Sequence, residues 1–274
     1  MPQPDNKLRI PETLRNVKSI IGIFSAKGGV GKSAISLQLA LALKEKGLKV
    51  GLVDADIYGP SQPVMLNSSP GELKLTKNEI IEPLTKKGIK FISMGLISGD
   101  KMPVIWRGPM VSGAVMQLLS QTEWGELDYL IVDTPPGTGD VQLTLLQRIP
   151  LTSAVVVTTP QKVSISDCKK GIEMINKLDV PISGLIENMS WFQPDSMEKK
   201  YYLFGKDGGK DLAKEYSLDL LAQLPLVELH EDMDLQNHEL LKIEFDNISA
   251  KVMDSVKNLK DKRSGGIPQI NITK

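Results

Sequence analysis

The 274-residue chain sets 33 Lys+Arg against 33 Asp+Glu, so no net field draws it to nucleic acid or to an anionic membrane. With 41% hydrophobic residues it can bury a large core, and no stretch reaches the apolar length that spans a bilayer. Cys168 is the single cysteine, which excludes an internal disulfide framework and any multi-cysteine metal site built by one chain.

Residues 1–17 are polar and broken by Pro2, Pro4 and Pro11, which predicts an N-terminal arm rather than an apolar leader, and a cytoplasmic protein. One domain is expected over residues 18–262. Ser264-Gly265-Gly266-Ile267-Pro268 stops the last helix, so residues 263–274 read as a flexible tail.

The domain opens with Ile20-Ile21-Gly22-Ile23-Phe24, a run apolar enough for a strand buried on both faces of a parallel sheet. Ser25-Ala26-Lys27-Gly28-Gly29-Val30-Gly31-Lys32-Ser33 follows, and the spacing from Lys32 to Glu45 predicts a helix ended by Gly47. A glycine loop between strand and helix turns successive backbone N–H groups inward at a helix N-terminus, and so cradles a polyphosphate. Lys32 then reaches the β- and γ-phosphates, and Ser33 offers its hydroxyl to Mg²⁺. Ala26 stands where the phosphate-loop pattern G-x-x-x-x-G-K-[ST] has its first glycine. Gly29, Gly31 and Ala34 also satisfy G-x-G-x-x-[GA], with Asp54 as the trailing acid of a dinucleotide fingerprint. The Lys32-Ser33 pair and the acidic motifs downstream decide for a nucleoside triphosphate.

Leu48 to Val53 is the next predicted strand, delivering Asp54-Ala55-Asp56-Ile57-Tyr58-Gly59-Pro60-Ser61. Alternation along an extended strand end points Asp54 and Asp56 the same way, toward the phosphates. Glu79 to Pro83 and Gly88 to Met94 read as a hairpin or two short strands. Trp106-Arg107-Gly108-Pro109 leads into a helix to about Leu119, with Pro109 in its first turn. Arg107 and Arg148 are expected to be surface ion-pair partners.

Leu127 to Asp133 forms a further apolar strand and runs into Thr134-Pro135-Pro136-Gly137-Thr138-Gly139-Asp140. An aspartate at the tip of a buried strand beside a phosphate loop can hold the waters of Mg²⁺. Gly137 offers a backbone N–H to a γ-phosphate, in a loop able to change shape with the nucleotide. Beyond it the pattern predicts a helix from Val141 to Gln147, a strand from Ser153 to Thr159, and a helix from Ser164 to Lys177 capped by Ser164 or Ser166. Cys168 in that helix is a packing residue. A strand from Ile182 to Ile186 leads to Glu187-Asn188-Met189-Ser190-Trp191-Phe192, and residues 193–204 read as a projecting loop or ribbon. Asp207 to Tyr216 is a short helix, Leu220 to Leu224 the last strand, and Asp246 to Lys262 a final helix with Ile248, Val252, Val256 and Leu259 on its core stripe. His230 and His238 lack the spacing of metal ligands.

Read in that order, K-G-G-V-G-K-S, V-D-A-D-I-Y-G-P-S, W-R-G-P-M, D-T-P-P-G-T-G-D and E-N-M-S closely resemble the Mrp/ApbC family, part of the deviant Walker A group with MinD/ParA and the nitrogenase iron protein. The resemblance spans about residues 8–260. It implies a doubly wound α/β fold with a mostly parallel sheet, a slow Mg-dependent ATPase, a cytosolic homodimer, and a role in assembling or delivering iron-sulfur clusters to apo-protein clients. By the same resemblance the nucleotide loop spans Ala26, Lys27, Gly28, Gly29, Val30, Gly31, Lys32, Ser33 and Ala34. Lys27 reaches the partner's nucleotide, Asp56 orients the attacking water, Asp133 orders the waters of Mg²⁺, and Asp54, Asp56, Asp133 and Gly137 act as switch residues. Asn188 hydrogen-bonds adenine, with Pro225 and Leu226 completing the base pocket.

The sequence departs from the family at the cluster loop. Family members place C-x-x-C after M-S-x-F, whereas Pro194 and Met197 occupy those positions here, and neither can be a thiolate ligand. Two readings follow: an ATPase of the iron-sulfur carrier and assembly family acting through a partner or unusual ligands, or a MinD/ParA-like dimer switch that recruits a protein. A MinD-like chain ends in a basic amphipathic helix, which Gly265, Gly266 and Pro268 argue against.

Overall fold

The computed structural model describes residues 11–76, 80–98, 108–194, 199–227 and 238–264. In chain order the elements are β1 (Ile20–Phe24), α1 (Lys32–Glu45), β2 (Val50–Asp54), α2 (Gln62–Met65), β3 (Lys74–Leu75), β4 (Ile81–Glu82), β5 (Leu84–Lys86), β6 (Ile89–Ser93), α3 (Met94–Ser98), α4 (Gly108–Ser120) and β7 (Tyr129–Asp133). They continue with α5 (Asp140–Arg148), β8 (Ser153–Thr158), α6 (Lys162–Lys177), β9 (Ile182–Glu187), α7 (Gly208–Glu215), β10 (Leu220–Gln223) and α8 (Glu239–Ser264).

The apolar runs become neighbours in one sheet of order β10-β9-β8-β1-β7-β2-β6-β5, parallel throughout except for the β5–β6 pair. Every residue of β1, β2 and β7 is buried, because helices cover both faces of the sheet. Alternation divides them between two cores. Ile20, Phe24, Leu130 and Val132 face one cluster, whereas Ile21, Ile23, Tyr129 and Ile131 face the other, which α1 and α8 share. This is the doubly wound α/β class that the sequence implied.

The topology positions the chemistry. The chain skips a place between β1 and β2, and β7 later fills it, so the C-terminal ends of these three strands meet. Their register aligns Ser93, Asp54, Asp133 and Ile23 in one row across the sheet. In open α/β sheets ligands bind at such carboxyl edges, where strand order reverses.

Several expected boundaries shift for local reasons. Helix α6 starts at Lys162 with Gln161 as its cap, not at Ser164 or Ser166. The Ser164 hydroxyl is instead 2.9 Å from Thr158 Oγ1, in the core. Helix α8 begins at Glu239, seven residues before the expected Asp246, and reaches Ser264. The segment 80–93 forms β4, β5 and β6; β5 and β6 are joined by Lys87-Gly88, both at positive φ (49° and 80°), as a two-residue hairpin turn requires. From Pro11 the arm already touches the domain: Leu14 is buried and Thr13 Oγ1 donates to Ser120 O at 3.1 Å. Residues 1–10, Glu79, Arg107, Met197, His230 and the tail from 265 lie outside the described residues. Phe192 and Tyr201 exchange backbone hydrogen bonds of 2.8 Å, an antiparallel bridge beyond β9.

Candidate functional site

Between β1 and α1 the chain turns through Gly29 (φ 78°) and Gly31 (φ 84°), conformations that cost other residues energy. Gly31 caps α1, and its carbonyl accepts the Ile35 N–H at 3.1 Å. A Cβ on Gly31 would also collide with the Asn188 amide, whose Nδ2 donates to Val30 O at 2.9 Å. The loop is thus tied to the end of β9. It borders a cleft of about 410 Å³, lined by Lys27, Gly28, Gly29, Gly31, Lys32, Ser33, Ala34 and Asp56 from the expected set. Ala26 and Val30 do not line it; Val30 is buried, and Ala26 backs onto the apolar packing around Cys168 and Gly171. Pro225 and Leu226 are also outside the cleft. They continue β10 beside Trp191 and Phe192, where Leu226 N donates to Trp191 O at 2.7 Å.

Beneath the loop, Lys32 forms a buried ion pair with Asp133, at the tip of β7. Ser36 Oγ donates to the same carboxylate at 3.0 Å, and Gln62 Nε2 donates to its other oxygen at 3.0 Å. Asp56 lines the cleft and Asp54 does not: β2 ends at Asp54, and strand alternation ends with it. Asp54 is 0% exposed and accepts from Ser93 Oγ at 3.0 Å and from the Gln62 and Asp56 N–H groups, each at 3.2 Å. Asp56 borders the cleft and accepts from the Tyr58 and Gly59 N–H groups, each at 3.2 Å.

Burial, and next the Asp133 charge, push the Asp54 carboxyl up from its ordinary 3.8 to about 7, against the Ser93 and Asp56 hydrogen bonds. A folded value above the unfolded one gives stability that is full below the ordinary value and lost as pH rises through about 7. Urea unfolding is therefore expected to show a less stable protein at pH 8 than at pH 5, and Asp54→Asn to flatten that difference. An unchanged difference in the variant would assign it to other groups.

The residues suit a hydrated magnesium ion: a hydroxyl at Ser33, the Asp56 carboxylate at the cleft, the Asp133 carboxylate beneath it, and a buried amide oxygen at Gln62 with no partner among the described residues. Gly137, expected to face a γ-phosphate, donates its N–H to Ser25 O at 2.9 Å in this conformation, which docks the 134–140 loop on the phosphate loop. Thr134 Oγ1 donates to Ile23 O at 2.8 Å, and Gln142 reaches back to Thr134 and the Pro135 carbonyl. Sequence reading missed Ser36, Gln62, Ser93 and Gln142, none of which stands in a motif.

The cluster loop is different. Among the described residues no group of three or more His, Cys, Asp or Glu is placed to hold a metal ion. Cys168 is buried in α6, and burial pushes its thiol up to about 12. At pH 8 the thiolate fraction is then about 10⁻⁴, too small for ready attack on a reagent. An aromatic disulfide reagent is expected to leave the native protein unmodified and to titrate one thiol per chain in denaturant. Fast native labelling would contradict the packing role.

Comparison with known proteins gives the site its family. The family model of the NUBPL iron-transfer P-loop NTPase, of the ParA group, matches residues 16–260. An iron-sulfur cluster carrier protein of Pseudomonas fragi is 47% identical over 223 residues, 81% of this chain and 78% of that protein. Another, from Methanocaldococcus jannaschii, is 50% identical over 226 residues, 82% of this chain and 77% of its own. The solved nucleotide-binding protein of Archaeoglobus fulgidus, in complex with ADP, superposes with a TM-score of 0.70 at 30% identity, covering 88% of this chain and 90% of that one. With the family model matched over residues 16–260 and relatives of 47–50% identity, the chain belongs to the NUBPL iron-transfer P-loop NTPase family, alongside the iron-sulfur cluster carrier proteins.

Proposed function

We propose that this chain binds ATP with Mg²⁺ at the 26–34 loop and hydrolyses it slowly as a cytoplasmic homodimer, in the service of iron-sulfur cluster assembly. The observation that carries the reading is the convergence of Lys32, Ser33 and Asp56 on one cleft at the carboxyl edge of the sheet, with Asp133 paired to Lys32 beneath it. The ADP-bound archaeal relative supports the nucleotide, and the carrier names of the curated relatives support the cluster role. A single P-loop domain over about residues 18–262 carries all of it.

In this reading Lys32 leaves Asp133 to meet the β- and γ-phosphates, and Asp133 is released to hold the waters of the metal with Ser33. Magnesium supplies neutralisation of phosphate charge when bound. Backbone N–H groups of Gly28, Gly29 and Gly31 line the phosphates, and Lys27 extends to the nucleotide of the second copy. Asp56 orients the attacking water, while Asp54 holds the Asp56 turn and Gly137 moves from Ser25 O toward the γ-phosphate. Asn188, with Pro225 and Leu226, serves the base side. Cluster ligands come from an apo-protein client or assembly factor, since Pro194 cannot supply one.

Phosphoryl transfer rests on positioning, so Asp56→Asn is expected to lower kcat about 10²-fold or more while nucleotide affinity stays within about threefold. Phosphate release and calorimetric binding measured side by side decide it. An affinity loss equal to the rate loss would make Asp56 a binding residue.

A further inference from the structure

We propose that Gln62 is a positioning residue of the metal site, its side-chain carbonyl accepting a hydrogen bond from a water on the divalent cation that accompanies the nucleotide. This rests on the reading of the cleft as a Mg-nucleotide site.

Gln62 opens α2, directly after the turn that carries Asp56, and is 0% exposed. Its amide has one orientation. Nε2 lies 2.8 Å from Ser33 O and 3.0 Å from Asp133 Oδ2, and both of those atoms can only accept. A flipped amide would set oxygen against two acceptors. The carbonyl Oε1 is thereby turned away from both, and it is buried without any partner among the described residues. A buried acceptor left unpaired is costly, and such a group in a native structure marks a missing donor.

The chemistry of that donor follows from the surroundings. The amide bridges the main-chain carbonyl of Ser33, whose hydroxyl is the one suited to the cation, and the Asp133 carboxylate, which is suited to the cation's waters. Water on a divalent cation is a polarised donor with no need to accept, so it complements an orphan carbonyl beside a carboxylate. The same side chain ties α2 to the phosphate loop and to β7, and its backbone N–H ties it to Asp54 at 3.2 Å. One amide thus links three motifs that lie far apart in sequence, so cation binding reaches the Asp56 turn through Gln62.

The test compares ADP affinity in Mg²⁺ with ADP affinity in EDTA, by calorimetry on the full chain. Gln62→Met keeps length and removes both polar atoms, and is expected to shrink the Mg²⁺-linked gain in affinity about tenfold, leaving affinity in EDTA within about twofold. Gln62→Leu removes the same two polar atoms and carries the test should circular dichroism show Gln62→Met unfolded. A Mg²⁺-linked gain preserved in the folded variant, or an equal loss with and without Mg²⁺, overturns the assignment. A wild-type chain that binds no ADP would overturn the nucleotide reading itself, which the other outcomes leave standing.

Discussion

Lys32→Ala is expected to abolish ATP binding and to destabilise the empty protein as well. The ammonium is the buried counter-charge of Asp133, a carboxylate that is 0% exposed and neighbours Asp54 in the sheet register. Removing one member of a buried ion pair leaves the other uncompensated, at a cost of about 3–5 kcal/mol. The Ser36 and Gln62 donors offset part of this but carry no charge. Replacing both ends, Lys32→Ala with Asp133→Asn, is expected to restore most of the unfolding free energy and none of the binding, since an amide does not need the lysine. Urea titrations and ATP calorimetry on the three variants separate the two roles. Wild-type affinity in Lys32→Ala would remove the lysine from the phosphates, and unchanged stability would remove it from the pair.

Lys27→Ala is expected to behave in the opposite way: binding within about threefold of wild type, turnover lower by about 10²-fold or more. Lys27 borders the cleft half-exposed, and among the described residues no ion pair engages it. A free cation at the mouth of a phosphate site can stabilise transferring charge on a second copy's nucleotide without holding its own. Specific activity of the wild type should therefore rise with protein concentration, and that of Lys27→Ala should not. Unchanged turnover in the variant would end the cross-dimer role.

What could be read from the sequence, and what could not, follows from the range of the interactions. Helix α1 runs from Lys32 to Glu45 as its pattern indicates, because glycines on either side of it fix both ends locally. Strands β1 and β7 announce themselves as unbroken apolar runs, as buried parallel strands must. Ser164 misled because a serine near a helix start can cap it or bond elsewhere, and Thr158 across the core claims its hydroxyl. Only Asp56 of the Asp54–Asp56 pair lines the cleft, because alternation holds only while the strand continues. Gln62, Ser93 and Ser36 were illegible: their roles exist only once register sets Ser93, Asp54 and Asp133 in a row and α2 folds over them. The strand, loop and helix from Ile20 to Glu45 were legible as a frame, whereas the acidic edge beneath the loop was legible only in its carboxylates.

The central claim is an ATP-driven member of an iron-sulfur family that works without a C-x-x-C of its own. Iron and acid-labile sulfide per chain, measured after anaerobic reconstitution and desalting with and without Mg-ATP, test it most directly. The expected result is well below one cluster per two chains in both conditions, unchanged in Cys168→Ser. A stoichiometric cluster retained by the chain alone, and lost in Cys168→Ser, would contradict it and make this chain a carrier with relocated ligands.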